Sequence, residues 1–539
     1  MFIRKKPPRA HKPGEPLLYN NHKRPVTRRD FIAAGMISGP AMVIGPAWLG
    51  GLLKASRAGA ALAPDIQAML GPGQCNVPTT ASGIPFICFD LAGGANLVGS
   101  EVLVGQQGGQ SNFLSTAGYE LLGVPGNMVP SSSANIDSSL GLLFQADSAI
   151  KRGILSVATT AATAAGTSGA VLCAESQNDT QANPHNPMYG IAMAGANGLL
   201  LDLIGTQSTV SGGNSEAPMA LINPALQPTT ISQPSDATGL VSTGGASADP
   251  LSIAVLESQT RISGGSTAFV SGTETSIGGA LSAPSGSTPG VQLYTDPTAD
   301  TTLKNQVRCN YAKAAYTADA YGNPAALDPT QDPLIIGGAT PIFTAAQFSN
   351  SDVAATATVM KLVIDGYAGA GTITLGGFDY HDGTRATGET RNFQAGQMIG
   401  AVLEYAQRKA KPVMIYVISD GSLSSNMMVD NSAAGRGKLG WQGDNAAVAS
   451  TFFLAYSPSG RPQLMNGTAG QQIGYFSAAG NVVTSSSPVG NAVSTLVQVV
   501  ILNYMGLMGT TAQYSTLFPT LGLGSVSQLD ALTAFAPIV

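Results

Sequence analysis

Short apolar runs separated by segments of helical periodicity are the dominant pattern along this chain. The runs, of four to six residues, have the length of buried strands, and several segments between them repeat apolar residues every three or four positions. The predicted strands are residues 86–89, 154–157, 219–222, 372–375, 413–418 and 452–456. The predicted helices are residues 139–151, 193–204, 354–367, 393–409 and 492–505. Alternating strands and helices predict an α/β fold, with a mainly parallel central sheet flanked by helices on both faces.

The clearest unit of this pattern runs from residue 372 to residue 426. A strand over 372–375 is followed by a helix over 393–409, and Pro412 prevents that helix from continuing into the strand over 413–418. Such a βαβ unit has parallel strands and a right-handed crossover. The loops that follow its two strands therefore emerge on the same side of the sheet.

The alternating pattern is interrupted between residues 227 and 335, mainly by clusters of Ser, Thr, Gly and Pro up to about residue 300. We interpret this stretch as a Ser/Thr/Gly-rich insertion or cap, because long segments without regular structure inside a compact domain are usually functional or loosely ordered. The length of the chain allows one large domain or two. We predict one α/β domain over residues 64–539 that carries the insertion.

The first residues predict export. Arg28 and Arg29 precede an uncharged apolar stretch over 31–53 and the small-residue site Ala61-Leu62-Ala63. This order resembles a twin-arginine signal peptide, cleaved after Ala63, and it predicts a periplasmic or extracellular protein. An uncleaved membrane anchor is the alternative, although the glycines and prolines of the stretch weaken a spanning helix.

Removal of residues 1–63 changes the charge of the chain. The formal net charge is −5 for the whole sequence, and the remainder has 15 basic and 29 acidic residues, or about −14. An acidic protein repels phosphate backbones, so we expect no nucleic-acid partner. The same balance favours the binding of a divalent cation.

The chain has four cysteines, Cys75, Cys88, Cys173 and Cys309. In an oxidising compartment they allow three complete pairings, which the sequence does not rank. Cys88 lies in an apolar run, so a buried free thiol is an equal alternative for it. Their spacing does not fit a zinc knuckle.

Two histidines remain for chemistry, because His11 and His22 lie in the leader. His381 follows Asp379 in the loop after the strand over 372–375, and Asp420 follows the strand over 413–418. Ligands of α/β proteins gather at the carboxyl ends of strands, so these three residues are predicted to converge. Imidazole and carboxylate together suit zinc, manganese or iron, whereas calcium or magnesium would use the carboxylates alone. The alternative is that these residues only build turns and helix caps.

Three other polar segments are candidates for the same site. His185, held between two prolines, is a fourth predicted metal ligand, with an ordered polar loop as the alternative. Asn96 follows the paired glycines after the strand over 86–89, and Asp444 and Asn445 follow Trp441. Trp441 is predicted either to form a binding platform or to pack in the core.

Several enzyme classes are disfavoured by missing motifs. The chain has no Gly-x-Ser-x-Gly elbow, no phosphate-binding Gly-x-x-x-x-Gly-Lys-Ser/Thr loop and no His-Glu-x-x-His helix. These absences argue against a serine hydrolase of the α/β type, a P-loop nucleotide hydrolase and a zincin.

The order of the motifs resembles an exported bacterial family known as domain of unknown function 1501, which is distantly similar to alkaline phosphatases and sulfatases. The shared layout is the twin-arginine leader, the Gly93-Gly94-Ala95-Asn96 turn, the Gly377-Phe378-Asp379-Tyr380-His381 segment and the Ser419-Asp420-Gly421 segment. The resemblance implies an alkaline-phosphatase-like α/β fold. By analogy it also implies hydrolysis of phosphate or sulfate esters at a divalent metal such as zinc, manganese or calcium.

The chain departs from the family pattern at three places. Asn96 stands where the pattern has an aspartate, Asp420 lies where it has a Ser-Glu-Phe-Gly-Arg run, and Asn445 replaces the histidine of an Asp-His pair. Each change removes or shortens a ligand, so a complete two-metal centre is not expected. Two functions follow as hypotheses: a metal-dependent ester hydrolase, with Ser100 or Thr384 as candidate nucleophiles, or a catalytically degenerate exported protein that binds a protein partner or surface polymer. A structural surface-layer or adhesin subunit fits the composition, but the β repeats that it predicts are not evident.

Overall fold

The computed structural model describes residues 62–70, 81–176, 183–240 and 324–539, and single residues at 75, 257, 258, 260, 308, 309, 311, 312, 315 and 316. Residues 1–61 of the predicted leader, including Arg28 and Arg29, lie outside the described residues. Most of the predicted insertion also lies outside them.

Within these ranges the secondary structure follows a clear order. The strands are β1 (Phe86–Leu91), β2 (Ile136–Asp137), β3 (Phe144–Gln145), β4 (Thr167–Leu172), β5 (Leu201–Gly205), β6 (Thr229–Thr230), β7 (Ala368–Leu375), β8 (Val413–Ser419), β9 (Leu423–Val429), β10 (Leu439–Asp444), β11 (Thr451–Tyr456) and β12 (Gln472–Ile473). The α-helices are α1 (Pro64–Met69), α2 (Thr116–Leu121), α3 (Ala149–Val157), α4 (Ala161–Ala165), α5 (Met188–Met193), α6 (Pro234–Gly239), α7 (Ser351–Ile364), α8 (Ala386–Arg408), α9 (Val493–Leu507), α10 (Tyr514–Leu517) and α11 (Val526–Ala531). Within the described ranges, no helix combines the length and the hydropathy that a membrane span needs.

Eight of these strands form one sheet in the order β12-β4-β11-β8-β1-β7-β5-β6. Neighbouring strands are parallel except for β11, which is antiparallel to both β4 and β8. The predicted α/β class with a mainly parallel sheet is confirmed. The strand β6, at one edge, is formed by the first residues of the predicted insertion.

Both faces of the sheet are covered, which explains the nearly continuous apolar character of its central strands. In β8, Val413, Ile415 and Val417 pack on the face covered by α3, α7 and α8. Met414, Tyr416 and Ile418 alternate with them and pack against the opposite face, with α5 and α9. Because both sets are buried, the strand shows no alternation of polar and apolar residues.

Two predicted elements before β4 are wrong. The helix expected over 139–151 and the strand expected over 154–157 are instead β3, a loop and α3. The hydroxyl of Ser148 accepts a hydrogen bond from the backbone N–H of Lys151 and so starts α3 at Ala149. Ile150 and Ile154 form the buried stripe of this helix, and a short apolar run does not distinguish such a stripe from a strand.

Two predictions in the following segment are also wrong. The helix expected over 193–204 covers the end of α5, a turn and the strand β5, because Gly195 adopts a left-handed conformation with φ +111°. The strand expected over 219–222 is a short 3-10 turn, Met219–Leu221, after Pro218. The helices predicted over 354–367, 393–409 and 492–505 correspond to α7, α8 and α9.

The cysteines divide into one pair and two single thiols. Cys75 and Cys309 form a disulfide, and Cys88 and Cys173 are free and buried. Burial raises the pKa of both free thiols well above the usual value, which keeps them protonated and unreactive. The alternative of a buried free thiol therefore holds for Cys88.

This arrangement predicts the outcome of thiol labelling. Iodoacetamide is expected to leave the native protein unmodified, because both free thiols are buried and protonated. Denaturation without reductant is expected to expose two alkylation sites, Cys88 and Cys173, and denaturation with reductant four. Intact-protein mass spectrometry measures these additions. Alkylation of Cys88 and Cys173 in the native protein would contradict their burial.

Candidate metal centre

The strands β8, β1 and β7 lie side by side and end at the same edge of the sheet. In their register, Leu91 of β1 is level with Leu375 of β7 and with Ser419 of β8. Because the three strands are parallel, the loops that follow them leave the sheet at one rim. All predicted ligands from these loops therefore lie on the same side of the molecule.

The loop after β7 alternates between buried and exposed side chains. Phe378 and Tyr380 are buried, whereas Asp379 and His381 are exposed. The hydroxyl of Tyr380 donates a hydrogen bond to the side-chain oxygen of Asn392 on α8, at 3.2 Å. This inward anchor turns the two neighbouring side chains outward, because successive residues of an extended chain point in opposite directions.

Asp379 and His381 form a cluster with Asp444, the last residue of β10. His381 Nε2 lies 2.6 Å from Asp379 Oδ1. One ligand atom of each of the three residues lies within 4.8 Å of the others. The side chains of Asp379 and His381 are 64% and 43% exposed, which leaves room for the small rotations that would bring all three ligand atoms onto one ion.

Asp444 reaches this cluster because the β9–β10 hairpin is bonded to the segment after His381. The backbone N–H of Gly383 donates to the carbonyl of Trp441 at 3.0 Å, and that of Trp441 donates to the carbonyl of Thr384 at 3.1 Å. Trp441 is fully buried, with its ring 4.4 Å from the Arg385 guanidinium. Trp441 is therefore a packing residue that fixes the hairpin.

A buried ionic cluster, which we call the Glu389 network, anchors the same hairpin to α3 and α8. The Glu389 carboxylate lies 2.9 Å from Arg385, 2.8 Å from Lys438 of the β9–β10 turn and 2.7 Å from Arg152 of α3. Burial by itself would raise the pKa of Glu389, but the three cations outweigh burial and hold this pKa below its ordinary value. The network thus connects α3, α8 and the hairpin that carries Asp444.

Asp420 lies beside this cluster, behind the loop that follows β1. Its Oδ1 accepts a hydrogen bond from the backbone N–H of Gly93 at 2.8 Å, and its Oδ2 lies 3.4 Å from the side-chain nitrogen of Asn214. A β-carbon on Gly93 would lie 2.3 Å from the backbone nitrogen of Asp379, and Gly93 has φ +126°. Only glycine therefore fits between Asp379 and Asp420.

His185 is buried next to Asp420. The side-chain nitrogen of Asn183 donates to the backbone carbonyl of Asp420 at 2.6 Å. Burial lowers the pKa of His185 to about 4, against the opposing effect of a hydrogen bond to the backbone of Ser419. Neither His185 Nδ1 nor Asn183 Oδ1 has a hydrogen-bond partner. The group of buried side chains around His185 and Asp420, which we call the buried pocket, therefore contains two unused polar atoms.

Asp90 is a residue of this pocket that the motif search missed. It lies within β1, fully buried, and accepts hydrogen bonds from the backbone N–H and the hydroxyl of Ser215 at 2.7 and 3.0 Å. Burial raises the pKa of Asp90 to about 6, assisted by the charge of Asp420. The signal in the sequence was a carboxylate within an otherwise apolar strand.

The predicted site residues thus fall into two groups. Asp379 and His381 lie on the exposed rim with Asp444, and this is the one group of three or more potential metal ligands in the described part of the chain. Asp420 and His185 lie in the buried pocket with Asp90.

Asn96 and Asn445 have local structural roles. Asn96 donates its amide to the carbonyl of Leu423 at 2.9 Å, and Asn445 accepts at 3.1 Å from the backbone N–H of Ala447. Ser100 is fully buried, and the hydroxyl of Thr384 donates to Asp382 at 2.8 Å. Neither hydroxyl is available as a nucleophile in this arrangement.

The chain was compared with models of protein families, with curated proteins and with solved structures, and none of them matches it. The resemblance to domain of unknown function 1501 therefore stays a prediction that depends on short motifs. The geometry of the rim cluster carries the functional argument instead.

Proposed function

We propose that this chain is an exported, metal-dependent hydrolase of phosphate or sulfate esters. The observation that carries the proposal is the cluster of Asp379, His381 and Asp444 at the carboxyl ends of the parallel strands. These residues come from two segments more than sixty positions apart in sequence, yet one atom of each lies within 4.8 Å of the others. Turn formation alone does not require such a convergence.

The donor set fits a divalent cation. Asp379 and Asp444 would each bind it through a carboxylate oxygen, and His381 through a ring nitrogen. Two carboxylates with one imidazole favour zinc, manganese or iron, whereas calcium would use the two carboxylates and omit the histidine. A cation at this rim also offsets the negative charge that would otherwise repel an anionic ester from an acidic protein.

The chemistry of the proposal follows from the available groups. A bound divalent cation supplies Lewis acidity toward an ester oxygen and lowers the pKa of a bound water. The hydroxyl of Ser100 is buried and that of Thr384 donates to Asp382, so neither of these two candidates serves as the nucleophile, and a water activated by the cation would take that role. Asp379 Oδ1 lies 2.6 Å from His381 Nε2, so a cation held by both residues would bind His381 through Nδ1, or through Nε2 in place of this contact.

Loss of a rim ligand is expected to weaken both metal binding and hydrolysis. In Asp379→Asn and His381→Gln variants, we expect metal affinity to fall by at least about tenfold, because each removes one of three ligands. Elemental analysis and equilibrium dialysis measure the metal, and 4-nitrophenyl phosphate and 4-nitrophenyl sulfate report hydrolysis. The matched control is Asp530→Asn, an exposed aspartate on α11. Purified protein with less than about a tenth of an equivalent of any metal, and no hydrolysis, would overturn the proposal.

A second candidate function is a non-catalytic exported protein that binds a partner or a surface polymer. The observation in its favour is that Asn96 and Asn445, which stand in place of an acidic ligand and a histidine, use their amides in internal hydrogen bonds. Only three ligands then remain at the rim. The same experiment separates the two functions, because a degenerate protein would bind its partner equally well after Asp379→Asn and His381→Gln, without any hydrolysis in the parent.

A further inference from the structure

A pocket of about 320 Å³ lies on the other side of the loop that follows β7. It is bounded by the start of α7, by one face of α8 and by the residues between Leu375 and Phe378. Its apolar wall includes Phe343, Phe378 and Met398, and its polar wall includes Arg391, Gln394 and Gln347. A concave site with an apolar wall and a few polar groups is the usual form of a small-molecule site.

Arg391 is the cation in this pocket, and it has no carboxylate partner in the described part of the chain. Its side chain is half-buried, and its closest polar contact is a long one, 3.4 Å from Nη1 to the side-chain oxygen of Gln394. No carboxylate lies within 4.0 Å of it among the residues that the structure describes. By contrast, Arg152, Arg385, Arg408 and Arg436 each lie within 3.0 Å of a carboxylate oxygen.

The backbone of the β7 loop is shaped to accept the guanidinium. A β-carbon on Gly377 would lie 2.9 Å from Cζ and Nε of Arg391 and 3.0 Å from Nη2, and Gly377 has φ +84°. Glycine therefore leaves the space in which the guanidinium rests. A β-carbon on the neighbouring Gly376 would meet no atom within 4 Å, and Gly376 has no positive φ. Gly376 therefore does not constrain the position of the guanidinium.

The pocket and the rim cluster lie next to each other but share no side chain. Phe378 lines the pocket, and Asp379 is the next residue along the chain. Residues on consecutive positions of an extended loop point to opposite sides, so the pocket and the cluster share one loop and open on different faces of it.

We propose that this pocket binds a small amphipathic organic anion. One sulfonate, sulfate, phosphate or carboxylate group pairs with Arg391, whose planar guanidinium offers two parallel donors to such a group. An aromatic ring or short alkyl chain packs against Phe343, Phe378 and Met398. Asp352 also lines the pocket and opposes a second negative charge, which favours a ligand with a single charge. The proposal is independent of metal binding and hydrolysis at the rim.

The probe for this proposal is naphthalene-2-sulfonate, which has an apolar ring system and a sulfonate that is not an ester. Isothermal titration calorimetry on the full mature chain, with chelator present, is expected to detect one site. Arg391→Gln is expected to weaken binding of the sulfonate at least about tenfold, because a charge-assisted hydrogen-bonded pair is lost. The affinity for the uncharged analogue naphthalene-2-methanol should change little between the parent and Arg391→Gln. The charge-matched control, Lys411→Gln, removes an exposed cation that does not line the pocket and should leave both affinities unchanged.

A pair of glycine variants tests the geometry. Gly377→Ala is expected to weaken sulfonate binding because it displaces Arg391, whereas Gly376→Ala retains it. Equal sulfonate affinity in the parent and Arg391→Gln, or equal losses in Arg391→Gln and Lys411→Gln, would overturn the proposal. Binding that persists in the Asp379→Asn and His381→Gln variants separates this site from the rim cluster, so either proposal can fail alone.

Discussion

Replacement of Glu389 by glutamine is expected to destabilise the protein by about 3–5 kcal/mol, the largest loss among the changes considered. The carboxylate is 3% exposed and forms ion pairs with Arg385, Lys438 and Arg152 at 2.7–2.9 Å. After its removal the cations keep only longer carboxylate contacts: Asp147 lies 3.3 Å from Arg152 and 3.5 Å from Lys438, and Glu101 lies 3.9 Å from Arg385. Two of the cations are almost fully buried, so the weaker pairing is expected to be costly. Urea denaturation followed by circular dichroism measures the free energy of unfolding.

A second glutamate of α8 provides the control for this result. Glu404 is also buried, but it pairs with the partly exposed Arg408 and accepts hydrogen bonds from Thr160 and Thr163. Glu404→Gln should therefore cost clearly less than Glu389→Gln. A loss below about 1 kcal/mol for Glu389→Gln would show that the network contributes little beyond a surface ion pair.

The Glu389 network should also affect the rim cluster. Because Lys438 and Arg385 belong to the segments that hold the β9–β10 hairpin, loosening them is expected to displace Asp444 from Asp379 and His381. Metal affinity is therefore expected to fall in Glu389→Gln under conditions where the protein stays folded. The residue touches no ligand, so its role is to position the hairpin.

The Asp90→Asn variant is expected to be more stable than the parent at pH 7, by about 3 kcal/mol. Burial raises the pKa of Asp90 from 3.8 to about 6. Between these values the unfolded chain has released the proton and the folded protein retains it, so the contribution of Asp90 to stability falls as the pH rises. Asparagine removes this cost and keeps an acceptor for the N–H of Ser215. Urea denaturation at a series of pH values measures the effect.

His185 gives the opposite pH dependence in the same pocket. Burial lowers its pKa from 6.5 to about 4, so between these values the unfolded chain binds a proton that the folded protein does not. Stability from this group therefore falls as the pH falls. In the parent the two contributions largely cancel between about pH 4 and 6, and in Asp90→Asn the slope due to His185 should appear alone. The same pH dependence in both proteins would contradict the assignment of Asp90.

A buried carboxylate that costs stability at neutral pH is more typical of a functional pocket than of a structural one. Asp90, Asp420 and His185 are buried near the carboxyl ends of the parallel strands, where α/β proteins bind ligands. The pocket lies behind the proposed metal centre, separated from it by the loop of Gly93. The stability of Asp90→Asn therefore also shows whether the carboxylate of Asp90 lowers the free energy of unfolding of the parent, as expected for a functional residue.

Elements with strong local signals were predicted well. The strands β1, β7 and β8 have apolar runs bounded by turn residues, and α7, α8 and α9 have a helical period over many turns. The failures were the helices expected over 139–151 and 193–204 and the strands expected over 154–157 and 219–222. Residues 154–157 are as apolar as a strand, and only the cap at Ser148 and packing against α8 make them helical.

The candidate site shows the same division. The spacing of Asp379 and His381 was visible because both residues belong to one loop, and a chain that alternates in and out places them on one side. Asp444 was predicted as a binding residue of the site but not as a metal ligand beside Asp379 and His381. Its inclusion in the cluster depends on backbone hydrogen bonds between the hairpin and residues 383 and 384.

Hydrophobic periodicity and chain handedness are local properties, so the α/β class, the parallel β7–α8–β8 unit and the side of the sheet at which its polar loops emerge could be predicted from the amino-acid order. Which polar residues meet depends on the folded molecule as a whole. Asp444 joins the rim through the hairpin, and Asp420 turns to Gly93 and the buried pocket of His185 and Asp90. These contacts join segments that are far apart in sequence, where the packing of each side chain depends on the rest of the fold.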